Sequence, residues 1–200
     1  MKTPFEITCV ILSGGKSSRM GEDKSFLPFS SSKTLIEHQY NRLKPYFKNI
    51  YISSKTNKFD FIEEKFLILD ENKEVFSPIL ALDTIFDKFK NQKIFIITVD
   101  TPFVTIETIS KLIKESENYD ICIAQTEKTH NLCGIFSSNI SLTIKNMITN
   151  DIHKINHLIK NNKYKIIKFN NNNEFMNLNN KNDYFESLNY INKNNNSQHN

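Results

Sequence analysis

Residues 11–24 read ILSGGKSSRMGEDK. Two adjacent glycines, Gly14 and Gly15, are followed by Lys16, Arg19 and Lys24, a composition suited to polyphosphate. Glycine lets the backbone approach a ligand with no side chain in between. N–H groups exposed in such a turn form an anion-binding concavity. Arg19 can fork two phosphate oxygens, whereas Lys24 acts as a point charge. The Gly-Lys-Ser tripeptide does not make this a Walker loop, because the position that must hold the first glycine is Val10, inside an apolar run. The dinucleotide fingerprint fails as well, since Gly14 and Gly15 are adjacent and Gly21 lies too far along. What remains is a phosphate loop of another kind.

The surrounding sequence indicates how such a loop is held. Ile7–Leu12 is a short β-rich run that reads as a buried strand ending at the glycines. Thr34–Leu43 has helical spacing, with Thr34 as N-cap and Glu37 as its capping-box partner. Strands are expected at 49–53, 66–69, 93–99, 120–124, 132–136 and 163–169. Helices are expected at 78–89, opened by Pro78, and at 106–115, 141–149, 152–160 and 181–189. Strands alternating with helices indicate an α/β domain around a mostly parallel sheet covered on both faces. Ligands of such sheets bind beyond the carboxyl ends of the strands. Three of those ends carry polar residues of interest: the Gly14-Gly15 loop, Asp70 after FLIL, and Asp100 after KIFIITV.

Bulk properties narrow the class. The 200 residues suit one well-cored domain, expected over 1–191, and a net charge of +4 is no nucleic-acid footprint. Cys9, Cys122 and Cys133 sit singly in apolar contexts, without zinc spacing, and read as buried thiols. No run resembles a signal core or a membrane span, so we expect a cytoplasmic protein with no nucleic-acid or membrane partner. Sixteen of the last forty residues are Asn, and the apolar-free stretch 192–200 is expected to be a disordered tail.

The stretch from Leu12 to Lys24 resembles the signature L-x-G-G-x-S-x-R-M-G-x-D-K of nucleotidyltransferases of the molybdenum cofactor guanylyltransferase (MobA) type. Every fixed position is filled by Leu12, Gly14, Gly15, Ser17, Arg19, Met20, Gly21, Asp23 and Lys24. The Asp100-Thr101-Pro102 of IITVDTPFV, Asp70, and Asn177-Leu178-Asn179 after Phe175-Met176 fit further motifs of that family. The resemblance runs from about Thr8 to Leu188. It implies a three-layer α/β/α, Rossmann-like nucleotidyltransferase fold. It also implies transfer of GMP from GTP to molybdenum-molybdopterin, with release of pyrophosphate. A related enzyme using CTP, on the same cofactor or on a sugar or polyol phosphate, is the alternative.

By the same resemblance, Lys24, Arg19 and Asp100 would be catalytic and Asp100 would hold Mg²⁺. Leu12, Ser13, Gly14, Gly15, Ser53 and Asp70 would join Lys24 and Asp100 in binding the nucleotide, and Asn177 and Asn179 would lie near the pterin. Proteins that deliver the cofactor or mature molybdoenzymes would be partners. The chain departs from the family at two places. Ser77-Pro78-Ile79-Leu80-Ala81 stands where Gly-Pro-Leu-x-Gly is usual, and His130-Asn131 stands where His-Pro is common. Separately, His153 and His157 fall four apart on an expected helix, a spacing able to bind metal. With no zinc-protease Glu between them and Lys154 close by, the helix reads better as a positively charged, solvated face.

Overall fold

The computed structural model describes residues 4–14, 21, 23–71 and 74–197. Seven strands form one sheet: β1 (Thr8–Leu12), β2 (Ile50–Ser54), β3 (Leu67–Leu69), β4 (Lys93–Thr98), β5 (Ile121–Gln125), β6 (Thr129–Ser137) and β7 (Tyr164–Lys168). Their spatial order is β3-β2-β1-β4-β6-β5-β7. β6 runs antiparallel to β4 and β5, and every other pairing is parallel.

The central strands are apolar on both faces because both faces are covered. Along β1, Cys9 and Ile11 point into one apolar cluster and Val10 and Leu12 into the other. Along β4, Phe95 and Ile97 alternate in the same way with Ile94 and Ile96. On the first side lie α1 (Leu35–Leu43), α3 (Ile106–Glu115) and α6 (Lys181–Ser197); on the second lie α2 (Pro78–Lys88), α4 (Ser141–Thr149) and α5 (Ile155–Lys160). The result is a helix–sheet–helix sandwich, the arrangement that parallel strands require.

Several local signals act as the sequence suggests. Thr34 Oγ1 accepts from Glu37 N at 3.2 Å and starts α1. Pro78 occupies the first turn of α2. Gly134 in β6 is required by contact: a Cβ there would lie 2.2 Å from Cys122 O of β5, beside a register shift at Ile123/Ala124. The three cysteines are free and buried. No helix among the described residues is long and apolar enough to cross a membrane.

One expected boundary is corrected. α5 begins at Ile155, not at 152, because Asp151 adopts φ 55° and Lys154 is an extended N-cap. α6 runs from Lys181 to Ser197. The reason lies at the start of α6, where Asp183 and Asn180 cap each other. Asp183 Oδ2 accepts from Asn180 N at 3.2 Å and Asp183 N donates to Asn180 Oδ1 at 3.1 Å. Tyr184, Leu188 and Ile191 then pack on the core. Once a helix is nucleated, each added residue costs little, even asparagine.

Candidate active site

β1 lies between β2 and β4, so the chain turns one way after β1 and the other way at β4. The gap between the carboxyl ends of β1 and β4 is therefore the switch point of the sheet, the usual place for a ligand. A cavity of about 340 Å³ opens there, lined by Leu12, Gly14, Lys24, Ser53, Asp70 and Asp100 among others. Leu12 pairs in register with Ser53 on one side and Thr98 on the other, which brings the three strand ends level. Ser13 N donates to Ser53 O at 2.8 Å and Val99 N to Leu12 O at 3.0 Å, continuing the sheet into the site.

At one end of the cavity Lys24 and Asp100 form an ion pair, both side chains mostly buried. Lys24 is presented by a single 3-10 turn, Lys24–Phe26, capped by Asp23. Asp23 Oδ1 accepts from Ser25 N at 3.0 Å and Ser25 Oγ at 2.7 Å, while Oδ2 pairs with Lys58. Burial alone would push the Asp23 carboxyl up, but the bonds from Lys58 and Ser25 outweigh it and hold it below its ordinary value.

Asp100 sits in a tight turn. Thr101 N and Oγ1 both return to Thr98 O, at 3.4 and 3.0 Å. Two side chains of α1 grip this turn from beneath. Gln39, fully buried, donates to Thr98 O at 3.1 Å and Thr101 O at 3.3 Å. Arg42 donates to Gln39 Oε1 at 2.6 Å and to Val104 O at 2.8 Å. Burial pushes the Arg42 guanidinium down to about 10, so at neutral pH it stays charged and its carbonyl partners stay engaged.

A third support comes from the far end of the chain. Leu178 N donates to Asp100 O at 3.0 Å, and Lys24 Nζ lies 3.4 Å from Leu178 O. The segment is anchored because Glu174 accepts from Thr105 and Thr108 at the start of α3, at 3.1 and 2.7 Å. Phe175 is buried against His130, ring centroids 4.3 Å apart. Burial, with Lys128 near by, pushes His130 down to about 4, so it is a neutral stacking partner of Phe175 at physiological pH.

Toward β3 the cavity changes character. Asp70 is 3% exposed, and its Oδ1 accepts from Ser53 Oγ at 3.3 Å. Lys55 lies 3.5 Å from its Oδ2. Burial pushes the Asp70 carboxyl up, and Lys55 and Ser53 pull it only part of the way back. Phe76, Pro78, Ala81 and Leu132 supply apolar wall. Ser77, one of the two glycine replacements, has φ −140°, which any residue adopts, and its Oγ accepts from Ile79 N at 3.2 Å as the N-cap of α2. The turn therefore needs no glycine conformation here.

Of the residues singled out from sequence, Leu12, Gly14, Lys24, Ser53, Asp70 and Asp100 line one cavity. Ser13 lies just behind, buried, with its Oγ unpartnered among the described residues. Asn177 and Asn179 do not line it; the backbone of Leu178 between them does the contacting. Gly15, Lys16 and Arg19 lie outside the described residues. The His153/His157 pair is not a metal face: His153 precedes α5, and its Nδ1 is 2.9 Å from Ser77 Oγ. No group of three or more acidic, histidine or cysteine ligands occurs among the described residues. Sequence reasoning passed over Gln39, Arg42, Lys55 and Phe76. The one available signal was a polar Gln39 on the apolar stripe of α1.

A switch-point cavity with a lysine–aspartate pair at one end and an acidic, apolar pocket at the other defines an α/β nucleotidyltransferase. More particularly, the chain belongs to the MobA-like NTP transferase family, whose domain model matches residues 9–165. It is 41% identical over 178 residues to a molybdenum cofactor guanylyltransferase of Campylobacter jejuni subsp. doylei, spanning 87% of this chain and 91% of that protein. It is 32% identical over 192 residues to a protein of the same name from Helicobacter pylori, spanning 92% and 94%. Its backbone follows that of molybdopterin-guanine dinucleotide biosynthesis protein A from Archaeoglobus fulgidus with a TM-score of 0.80, covering 94% of this chain and 100% of that one at 20% identity.

Proposed function

We propose that the chain transfers GMP from GTP to the phosphate of molybdenum-molybdopterin, forming the guanine dinucleotide and pyrophosphate. The observation that carries this reading is the Lys24–Asp100 pair at the switch point, backed by the Leu178 carbonyl. An oxygen of the pterin phosphate attacks the α-phosphorus of GTP; the bond from that phosphorus to the β-bridging oxygen breaks, and pyrophosphate leaves with the electron pair. Two anions meet, so charge stabilisation is the main demand, and no nucleophilic side chain is needed. Lys24 holds the α-phosphate oxygens as charge moves to the leaving group. Gly14, with Gly15 and Arg19, receives the β- and γ-phosphates. Asn177 and Asn179 flank the incoming pterin.

The donor set fits a divalent cation. Asp100 offers one hard carboxylate at the phosphate end, and a Mg²⁺ ion bound through one carboxylate plus substrate phosphates is the ordinary arrangement for nucleotides. When bound there, Mg²⁺ supplies charge neutralisation on the triphosphate oxygens. Cofactor-delivering and molybdoenzyme-maturation proteins fit as partners, because the pterin has to be handed in and the product handed on.

The test is pyrophosphate release with GTP, Mg²⁺ and molybdenum-molybdopterin, with CTP as the competing substrate. Lys24→Ala and Asp100→Ala are each expected to lower turnover by at least about a hundredfold, the scale of one lost transition-state contact, with the fold retained. Unchanged turnover in either variant, or a preference for CTP, sinks the proposal.

A further inference from the structure

The turn that presents Lys24 is fastened to the connection between β2 and β3. Asp23, its cap, is paired through Oδ2 with Lys58. The same ammonium stands 5.5 Å from the centroid of the Phe26 ring and 5.2 Å from that of Phe59, within the range in which a cation is drawn to a ring face. Those two rings lie tilted against each other with centroids 5.7 Å apart. Phe59 is buried, and so is Ser25 in the middle of the turn. Residues on both sides of Lys24 are therefore tied to Lys58 and Phe59.

The two oxygens of the Asp23 carboxylate have separate tasks. Oδ1 accepts from Ser25 N and Oγ, and Oδ2 is left for Lys58. The torsion that carries an aspartate carboxylate is broad and soft, so a group held at one oxygen by its own turn can still swing. A cation fixed at the other oxygen stops it. Lys24 and Asp100 line the cavity at the switch point. Lys58 lies outside it and lines instead a separate cavity of about 720 Å³, together with Phe26 and Phe59. Any effect of Lys58 on the transfer must pass through the turn.

We infer that Lys58 is a positioning residue for the transfer step: by fixing the Asp23 carboxylate and the Phe26 ring, it sets the direction in which Lys24 is offered to the α-phosphate. The inference rests on the reading that Lys24 holds the α-phosphate of a nucleoside triphosphate. Magnitude separates this role from a merely structural one. The side chains of Asp23 and Lys58 are 40% and 24% exposed, and ion pairs so open to water add little stability. The demand on Lys24 is far stricter, because a reacting contact displaced by about 1 Å costs on the order of a hundredfold in rate. A contact that tightens only in the transition state is lost from kcat rather than from KM. Lys58 also cancels the charge of Asp23. Without it, a bare carboxylate would sit one residue from the lysine that must meet a triphosphate.

The experiment is pyrophosphate release with GTP, Mg²⁺ and molybdenum-molybdopterin, together with a thermal melt. It is run on the wild type, Lys58→Met, Lys58→Arg, Asp23→Asn and the double variant Lys58→Met/Asp23→Asn. Lys58→Met is expected to lower kcat at least about tenfold, with KM for GTP little changed and a melting midpoint lowered by no more than about 4 °C. Lys58→Arg keeps a charged donor in reach and should recover most of kcat. Asp23→Asn keeps an acceptor for Ser25 but loses the charge that holds Lys58, so it should fall as Lys58→Met does. The double variant should be no slower than the slower single variant, because both substitutions break one coupling. Wild-type kcat in Lys58→Met, a loss confined to KM, no recovery with Lys58→Arg, or losses that multiply in the double variant overturns the inference. A Lys58→Met chain that melts far lower or does not fold makes the role structural and overturns it as well. Wild-type turnover in Lys24→Ala instead overturns the reading of Lys24 on which it stands.

Discussion

Replacing Arg42 by methionine separates the stability of this fold from the accuracy of its site. Arg42 has no carboxylate partner among its described bonds; its donors go to Gln39 Oε1 at 2.6 Å and Val104 O at 2.8 Å, with Thr101 O at a marginal 3.5 Å. Two good bonds from a charged donor stabilise by roughly 1.5–3 kcal/mol each. Against this, depression to about 10 at a buried site corresponds to about 3 kcal/mol of burial cost. Methionine removes both contributions and keeps much of the volume. The net loss of stability is then roughly 0–3 kcal/mol, so the variant should fold.

The effect on the site is not offset in this way. Val104 O loses its donor, and Gln39 loses the contact that orients its amide toward Thr98 and Thr101. Asp100 rides on that turn, and displacement of a reacting group by about 1 Å costs on the order of a hundredfold. Urea unfolding gives the stability, and pyrophosphate release under GTP saturation gives the turnover. The expected pair of results is a modest shift in midpoint with at least about a tenfold loss of turnover. Arg42→Met that folds and turns over like the wild type would refute the claim that α1 sets the position of Asp100.

Three further outcomes follow from the same structure. His130 and His38 are both pushed down to about 4 by burial, so the unfolded chain binds more protons than the native one between about pH 6.5 and about pH 4. Stability should fall as pH drops through that window, and His130→Phe, read by thermal melting at several pH values, should remove about half of the slope. Ser77→Gly should lower stability by only a few tenths of a kcal/mol, since glycine is an acceptable N-cap, and should leave the preference for GTP intact; a switch toward CTP would show that Ser77 reads the base. Gly134→Ala should destabilise by about 3 kcal/mol or more, because the added carbon meets backbone of the neighbouring strand; normal expression and melting would contradict this.

The frame of the molecule was legible because its signals are local and periodic. KIFIITV could only be a strand buried on both faces, and Thr34 with Glu37 announced the start of α1. The convergence of Gly14, Asp70 and Asp100 followed from strand order alone. What stayed hidden depends on tertiary reach. Lys55 looks in sequence like one more solvated lysine after a strand; only the fold brings Asp70 and Val75 to it. Arg42 reads as an exposed helical cation until Val104 is known to lie beneath it. His153 and His157 do not share a helix face, because the positive φ at Asp151 delays the start of α5. Composition likewise says nothing about Tyr184, Leu188 and Ile191 anchoring the turns of α6 on the core.

The bond from Leu178 to Asp100 also has a bearing on time. β1, β2, β3 and β4, with the two aspartates and Lys24, leave the ribosome first and can assemble as a parallel half-sheet. The backbone that closes on Asp100 lies more than seventy residues further along the chain, beyond β5, β6 and β7. The turn at Asp100 is thus braced across a long span of chain, by a segment remote in sequence from the strands that form the cavity.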